Sequence, residues 1–197
     1  LVAGSHSPFP DRPIVAGVDV QTGETKWTTT VAKGRKSPIG VDERQAYAIS
    51  KAETMVAVDA ATGDTVWQRP LAPLDEADPG VVEFAPIPFG DRVVVPISGT
   101  EDDVPDRLIV VDRADGETQF VHSLPTSLSG APGATSDGVI APLLEGRVLS
   151  LDWTGAVEWT REIGAALSGV RPTADTAFLG AATEELLALD TTTGSVA

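Results

Sequence analysis

The sequence of 197 residues contains no cysteine and no asparagine, and it has only 14 basic residues against 29 acidic ones. Without cysteine, disulfide bonds, thiolate nucleophiles and cysteine-bound zinc are all excluded. The formal net charge of −15 disfavours nucleic acid and anionic membrane surfaces as partners, because binding to phosphates depends on clustered lysine and arginine. No apolar run approaches the length of a membrane-spanning helix, so we expect no direct insertion into a bilayer.

One short pattern recurs along the chain: an apolar run, an aspartate, a glycine and an aromatic residue. The fifth copy stops before its aromatic position, and the aspartates are spaced 40, 53, 40 and 38 residues apart. The copies are Asp19, Gly23 and Trp27; Asp59, Gly63 and Trp67; Asp112, Gly116 and Phe120; Asp152, Gly155 and Trp159; and Asp190 with Gly194. A near-constant period of this size predicts a repeat architecture.

The local chemistry of each copy predicts a strand followed by a tight turn. The apolar runs lack polar alternation, which favours strands covered on both faces. In the turn, the aspartate carboxylate is placed to accept backbone N–H bonds and the glycine supplies a positive φ, so we assign both a structural role. The residue two before the aspartate is small in four copies (Gly17, Ala57, Ser150 and Ala188) and valine at Val110. We expect the small residues to let a neighbouring sheet approach closely.

Each unit also contains two earlier strand-like segments, such as "SPIGV" and "AYAIS" before "MVAVD". Four strands per unit of about 40 residues, with no helical periodicity, predict an all-β propeller of about five four-stranded blades. The approximate repeats are 1–31, 32–71, 72–124, 125–163 and 164–197. Because the pattern is entered and left within a unit, we expect a piece of a longer chain. Either a partial propeller or a small closed ring fits the count.

The pattern A-x-D-x-x-T-G-x-x-x-W, clearest in "AVDAATGDTVW" at 57–67 and "GVDVQTGETKW" at 17–27, resembles the tryptophan-docking repeat of PQQ-like (quinoprotein-type) β-propellers. The resemblance covers essentially the whole chain. It implies that Trp27, Trp67 and Trp159 dock on the neighbouring blade, with Phe120 as a smaller substitute.

The family's enzymes are quinoprotein dehydrogenases, which hold PQQ and calcium with Glu, Asn and Asp oxygens, often beside a vicinal cysteine pair. This sequence lacks asparagine and cysteine, so we expect no cofactor and no catalytic residue. The resemblance instead favours the non-catalytic members, such as the lipoprotein that assists outer-membrane protein assembly. His6 and His122 have no recognisable catalytic partner in the sequence.

We therefore predict a bacterial, extracytoplasmic scaffold in the periplasm, at the cell surface or secreted, which binds protein partners or ligands. A missing segment could anchor it to a membrane. Two alternatives stay open: a fragment of a PQQ-dependent dehydrogenase, and a ligand-sensing domain of a membrane-anchored or kinase-fused protein.

The spacing of 53 residues marks one departure from the repeat, carried by "LAPLDEADPGVVEF" and "SGTEDDVPDR". In an up-and-down blade these two connections emerge on the same face, and long loops on a rigid scaffold are common binding sites. Seven of their acidic residues form a predicted acidic rim: Asp75, Glu76, Asp78, Glu101, Asp102, Asp103 and Asp106. The rim would receive a basic partner or a calcium ion, whereas the alternative is a solvated acidic loop.

A small basic cluster lies one unit earlier, in "AKGRKSP" at residues 32–38. Lys33, Arg35 and Lys36 are predicted to lie on the same face as the acidic rim. They would pair with that rim or with the rim of a second molecule. A homo-oligomer is therefore expected if the propeller is open.

Overall fold

The computed structural model describes residues 2–5, 14–31, 38–49, 54–71, 81–99, 104–165 and 167–196, which form five antiparallel sheets in chain order. Sheet one contains β1 (Val2–Ser5), β2 (Ile14–Val18) and β3 (Thr25–Thr30). Sheet two contains β4 (Gly40–Val41), β5 (Gln45–Ile49), β6 (Thr54–Asp59) and β7 (Thr65–Pro70). Sheet three contains β8 (Ile87–Phe89), β9 (Arg92–Ile97), β10 (Arg107–Asp112) and β11 (Thr118–Ser123).

The last two sheets continue the series with the same meander of neighbouring strands. Sheet four contains β12 (Gly133–Ala134), β13 (Gly138–Leu143), β14 (Arg147–Asp152) and β15 (Val157–Glu162), with a short 3-10 helix at Leu144–Gly146. Sheet five contains β16 (Arg171–Pro172), β17 (Thr176–Gly180) and β18 (Leu186–Asp190). The described chain thus enters at the second strand of one unit, passes through three whole units and leaves after a third strand, as the strand count predicts.

The middle strands are buried on both faces, which explains their unbroken apolar runs. In β6, Met55 and Ala57 belong to the core between sheets two and three, whereas Val56 and Val58 belong to the core between sheets one and two. Successive side chains of a strand point to opposite faces, so one apolar run supplies two cores. Two further clusters join sheets three to four and four to five.

The short first strands of sheets two to five lie side by side at the inner edge of the array. The backbone N–H of Val170 donates to the Ala131 carbonyl at 2.8 Å, which ties the approaches to β16 and β12 together. Glycine is required where these strands meet, because a Cβ on Gly40 would lie only 2.0 Å from the Pro86 carbonyl oxygen. Sheets that radiate from neighbouring inner strands define a β-propeller.

The five sheets form a linear series of contacts. Four core clusters join consecutive sheets, and among the described residues no cluster joins sheet five to sheet one. Both arrangements that the sequence leaves open remain compatible with this series.

Up-and-down strand order separates the connections onto two faces. The turn face carries the connections between first and second strands and between third and fourth strands. The loop face carries the connections between second and third strands and those between sheets. On the turn face, the two turns of one sheet are joined by backbone bonds, such as Ala60 N to Arg44 O at 2.8 Å.

Candidate protein-interaction face

The repeated aspartates organise the turns between third and fourth strands. Asp59 Oδ1 accepts the backbone N–H groups of Ala61 and Thr62 at 2.8 and 2.9 Å, and Gly63 N donates to the Asp59 carbonyl at 2.8 Å. Gly63 has a φ of +79°, which glycine adopts without the penalty of a side chain. The equivalent carboxylates of Asp19, Asp112, Asp152 and Asp190 likewise accept backbone N–H bonds from their own turns.

Four of these turns stabilise the ionised carboxylate and therefore lower its pKa. The pKa values of Asp19, Asp59, Asp152 and Asp190 all lie below the ordinary value of 3.8. The largest cause is a hydrogen bond in each turn, donated by Lys26 to Asp19, by the Thr62 backbone to Asp59, by the Thr154 hydroxyl to Asp152 and by the Thr193 hydroxyl to Asp190. The ionised carboxylates therefore stabilise the turns to which they belong.

The aromatic residue of each repeat lies against the turn of the next sheet. Trp67 Nε1 donates to the Arg113 carbonyl oxygen at 2.9 Å, and its ring fills the space that a side chain on Gly116 would occupy. Trp27 and Trp159 make the same bond to Ala60 and Thr191 at 3.1 and 3.0 Å. Phe120 lies on Gly155 in the same way but has no N–H to donate.

A second contact follows two residues after each aromatic and reinforces the same junction. His122 Nδ1 lies 3.1 Å from the Gly155 carbonyl oxygen, and since a carbonyl only accepts, Nδ1 must carry the proton. Arg161 Nε donates to Gly194 O at 2.8 Å, Arg69 Nε to Asp115 O at 3.2 Å, and Thr29 Oγ1 to Gly63 O. No sequence pattern marks this position, because its four residues include threonine, histidine and two arginines. His122 is thus a junction residue, and His6 lies outside the described residues.

The small residues before the aspartates have a partner besides the one expected. Gly17 pairs with Trp27 across β2 and β3, and a Cβ on Gly17 would lie 2.4 Å from the Trp27 ring. The space above Gly17 therefore accommodates the aromatic ring of the same sheet, a contact in addition to the expected approach of a neighbouring sheet. In sheet three, Val110 pairs with Phe120. A valine, larger than the Gly17 and Ala57 of the other sheets, is thus opposite a phenylalanine ring, which is smaller than their tryptophan rings.

Sheets two and three share an additional polar cluster around Arg113. Its guanidinium contacts Asp42 at 2.8 Å through Nη2, the Tyr47 hydroxyl at 3.1 Å through Nε and the Gly90 carbonyl at 3.0 Å through Nη1. Burial is the main reason why the pKa of Tyr47 rises to about 12. Arg113 also lines an open cavity of about 410 Å³ on the turn face. All three guanidinium nitrogens already have protein partners, so the cluster reads as a structural junction.

The predicted acidic rim falls mostly outside the described residues. Asp75, Glu76, Asp78, Glu101, Asp102 and Asp103 belong to the segments that the structure does not describe. Asp106 is described, and it differs from the expectation because its exposure is only 3 %. Its carboxylate accepts the backbone N–H groups of Gly99 at 3.1 Å and Leu128 at 2.8 Å, so it holds loop backbone in place.

The described ends of the two long connections lie side by side on the loop face. Val81 and Ser98 exchange both backbone hydrogen bonds, at 2.7 and 2.8 Å. The stems of the second connection also converge, because a Cβ on Gly99 would lie 2.1 Å from the Val104 carbonyl oxygen. The equivalent connection in sheet four is the tight turn Leu144–Gly146. The departure from the repeat is therefore concentrated at one place, which we name the Val81–Ser98 junction.

The described residues offer no clustered metal ligands. In this part of the chain no group of three or more His, Cys, Asp or Glu side chains is arranged to hold a metal ion. The aspartates that recur most regularly have carboxylate oxygens engaged by turn N–H groups, and the sequence offers no asparagine as a further ligand. In the same ranges, no helix has the length and apolar character needed to cross a membrane.

The fold and the docked turns define a β-propeller of the PQQ-like class. The sequence model described as outer membrane protein assembly factor BamB matches residues 10–197, so the chain belongs to that family. No curated protein matches the sequence.

Solved structures of different function share the fold. BamB from Moraxella catarrhalis is 18 % identical with a TM-score of 0.66, covering 99 % of this chain and 66 % of that one. A europium-containing methanol dehydrogenase is 14 % identical with a TM-score of 0.67, covering 100 % of this chain and 49 % of that one. The computationally designed Ika8 protein is 14 % identical with a TM-score of 0.70, covering 99 % and 60 %. This chain thus spans about two thirds of BamB and half of the dehydrogenase.

Proposed function

We propose that the protein is a non-catalytic extracytoplasmic scaffold that binds protein partners through its loop face. The observation that carries this proposal is the Val81–Ser98 junction, where the two longest departures from the repeat lie together. The rest of the repeat is committed to structure, because its carboxylates hold turns and its aromatics hold neighbouring sheets. Variable loops on such a rigid frame are the usual place for recognition.

The partner surface is proposed to be basic. The two long connections contain seven acidic residues besides Asp106, and the whole chain has a formal charge of −15. An acidic patch on an acidic protein attracts a positively charged partner over several ångströms and repels acidic ones. A calcium ion is the second ligand with matching chemistry, because its coordination shell accepts several carboxylates.

The extracytoplasmic location is supported by family membership. The family description names an outer membrane protein assembly factor, and proteins of that description act outside the cytoplasm. The absence of cysteine leaves the fold independent of the redox state of its compartment.

Charge reversal at the tip of the second connection tests the proposal. The variant carries Glu101→Lys, Asp102→Lys and Asp103→Lys, and the matched control carries Asp64→Lys, Glu117→Lys and Glu158→Lys, which are exposed turn and outer-strand residues. Both variants change the net charge equally. Capture of a defined partner from the extracytoplasmic fraction of the host should be lost only in the first. If both variants lost partner capture equally, the cause would be the net charge and not the second connection. If neither variant lost capture, the proposal would be contradicted.

A dehydrogenase fragment is the second candidate, because a methanol dehydrogenase shares the fold. Titration with PQQ in the presence of calcium, followed by absorbance and calorimetry, separates the two. Saturable binding of PQQ would favour the enzyme. Calcium alone, titrated into the protein and into the Glu101, Asp102 and Asp103 variant, tests whether the loops hold a cation.

A further inference from the structure

Phe89 departs from the repeat at the turn between the first two strands of sheet three. In sheets two, four and five, the residue three positions before the second strand is polar and bonds backbone groups of its own turn. These residues are Asp42, Thr135 and Thr173. Phe89 cannot make such a bond, and it is 38 % exposed. An exposed aromatic residue that does not stabilise its own turn favours a role in binding.

Trp153 departs from the repeat in the neighbouring sheet. It directly follows the turn aspartate of sheet four, at a position where the other four sheets carry no aromatic residue. Those residues are Val20, Ala60, Arg113 and Thr191. The Trp153 indole donates to the Ser136 carbonyl oxygen at 3.0 Å, which holds the ring in a defined orientation on the turn face.

The two aromatic side chains meet across sheets three and four. Their rings are nearly parallel, with an interplanar angle of 19° and centroids 5.9 Å apart. The Arg92 guanidinium carbon lies 5.1 Å from the centroid of the Trp153 ring, as in a cation–π contact, and Arg92 also forms an ion pair with Asp91. We name the pair of rings the Phe89–Trp153 platform. Its shape is set before any ligand binds.

Hydrogen-bonding groups border the platform in both sheets. Asp91 lies in the turn between Phe89 and Arg92, and its side chain is 71 % exposed. Asp137 follows Ser136, whose carbonyl holds the indole, and both residues are exposed. In each carboxylate, Oδ2 accepts no bond from any described residue. These oxygens are therefore available to hydroxyl groups of a ligand.

We propose that the Phe89–Trp153 platform binds one face of a neutral pyranose sugar with equatorial hydroxyl groups. Such a ring presents axial C–H groups to an aromatic surface and directs its hydroxyls outward, where the two carboxylates accept them. A cationic ligand fits less well, because Arg92 already lies against the indole. An anionic sugar is disfavoured by the formal charge of −15. This site is on the turn face and goes beyond the loop-face function.

Cellobiose is the probe, because both of its glucose rings carry equatorial hydroxyls. It is titrated into the isotope-labelled 197-residue protein and followed by NMR. The indole signal of Trp153 and the amide signals of residues 89–92 should shift and saturate at millimolar concentrations. Sorbitol, which has the hydroxyls without the flat ring, should give no saturable shift. Equal shifts with sorbitol, or no saturable shift with cellobiose up to about 100 mM, would overturn the proposal.

Two phenylalanine variants provide the matched comparison. Phe89→Leu keeps an apolar side chain but removes the flat ring, and Phe84→Leu makes the same change before the first strand of that sheet. Affinity for cellobiose should fall at least about tenfold in the first, and should be retained in Phe84→Leu and in Phe89→Tyr. An undiminished affinity of Phe89→Leu, as expected if the rings only join the two sheets, would overturn the proposal.

A second variant keeps the proposal testable if Phe89→Leu fails to fold. Asp91→Ala combined with Asp137→Ala changes two exposed side chains and leaves both rings in place. Loss of the two accepting carboxylates should weaken cellobiose binding at least about tenfold, whereas unchanged binding would overturn the proposal.

Discussion

Trp67 and Arg113 connect sheets two and three in both directions. The Trp67 indole donates to the Arg113 carbonyl oxygen at 2.9 Å, while the Arg113 guanidinium reaches back to Asp42 of sheet two at 2.8 Å. Trp67 itself is only 8 % exposed and packs against Tyr47, with the two ring centroids 6.2 Å apart. The buried Trp67 ring provides apolar packing, and the two polar contacts with Arg113 fix the orientation of the two sheets. We therefore expect this junction to contribute strongly to the free energy of unfolding.

Replacing Trp67 separates the ring from its hydrogen bond. Trp67→Phe keeps most of the buried ring but removes the N–H, so we expect a loss of about 0.5–1.5 kcal/mol in the free energy of unfolding. Trp67→Ala also removes the packing and should cost about 3–5 kcal/mol. Chemical denaturation measures both values. Val66→Ala, at an exposed neighbouring position, is the control and should be close to neutral; equal effects of all three changes would contradict this view of the junction.

The pairing of Val110 with Phe120 predicts a compensating double substitution. Phe120→Trp alone should overpack the site and cost about 1–3 kcal/mol, and Val110→Ala alone should cost about 2 kcal/mol through lost burial. Together they recreate the arrangement of Ala57 with Trp67, so the combined cost should be smaller than the sum by at least about 1 kcal/mol. In a control cycle with Val95→Ala, which lies on the opposite face, the costs should add. Additivity in both cycles would refute the size compensation.

The turn aspartates predict a specific loss of stability in acid. The pKa of Asp59 in the folded state is lower than its ordinary value of 3.8, so its contribution is fully present above that value and disappears as the pH falls through the folded pKa. Asp59→Ala should therefore lower the melting temperature more at about pH 7 than at about pH 3, where the contribution of the ionised carboxylate is smaller. Asp59→Asn keeps the accepting oxygen without the charge and should flatten the acid dependence. An Asp59→Ala effect that is the same at both pH values would argue against this role.

Tyr47 is the only tyrosine in the sequence, so its ionisation can be followed by ultraviolet absorbance without interference from another phenol. Burial raises its pKa to about 12, and the nearby Asp42 carboxylate adds to the rise. The stability that this neutral phenol provides is present below pH 10 and declines as the pH rises through about 12. Asp42→Asn should lower the midpoint. A midpoint near 10 in the folded protein would contradict the burial of this hydroxyl.

Regular features of the fold follow from the sequence because they repeat. The Asp-x-x-Thr-Gly turns need one accepting side chain and one glycine, so residue identity and spacing alone predict them. The contacts of Thr29, Arg69, His122 and Arg161 were missed, since residues as different as threonine and arginine share only the ability to donate a hydrogen bond.

Features that occur once were harder to predict. Asp106 looked like an exposed loop carboxylate, but its partners Gly99 and Leu128 are distant in sequence and meet it only in the folded chain. The same is true of Arg113, whose contacts with Asp42 and Tyr47 cross between sheets.

Site-specific photo-crosslinking on the two faces tests the central claim most directly. A photoreactive residue replaces exposed Glu83, beside the Val81–Ser98 junction, or exposed Ala114 on the turn face. After irradiation in the native host, our account predicts a discrete protein adduct from position 83 and none from position 114. An adduct from position 114 alone, or none from position 83 while the protein remains folded, would contradict a partner-binding loop face.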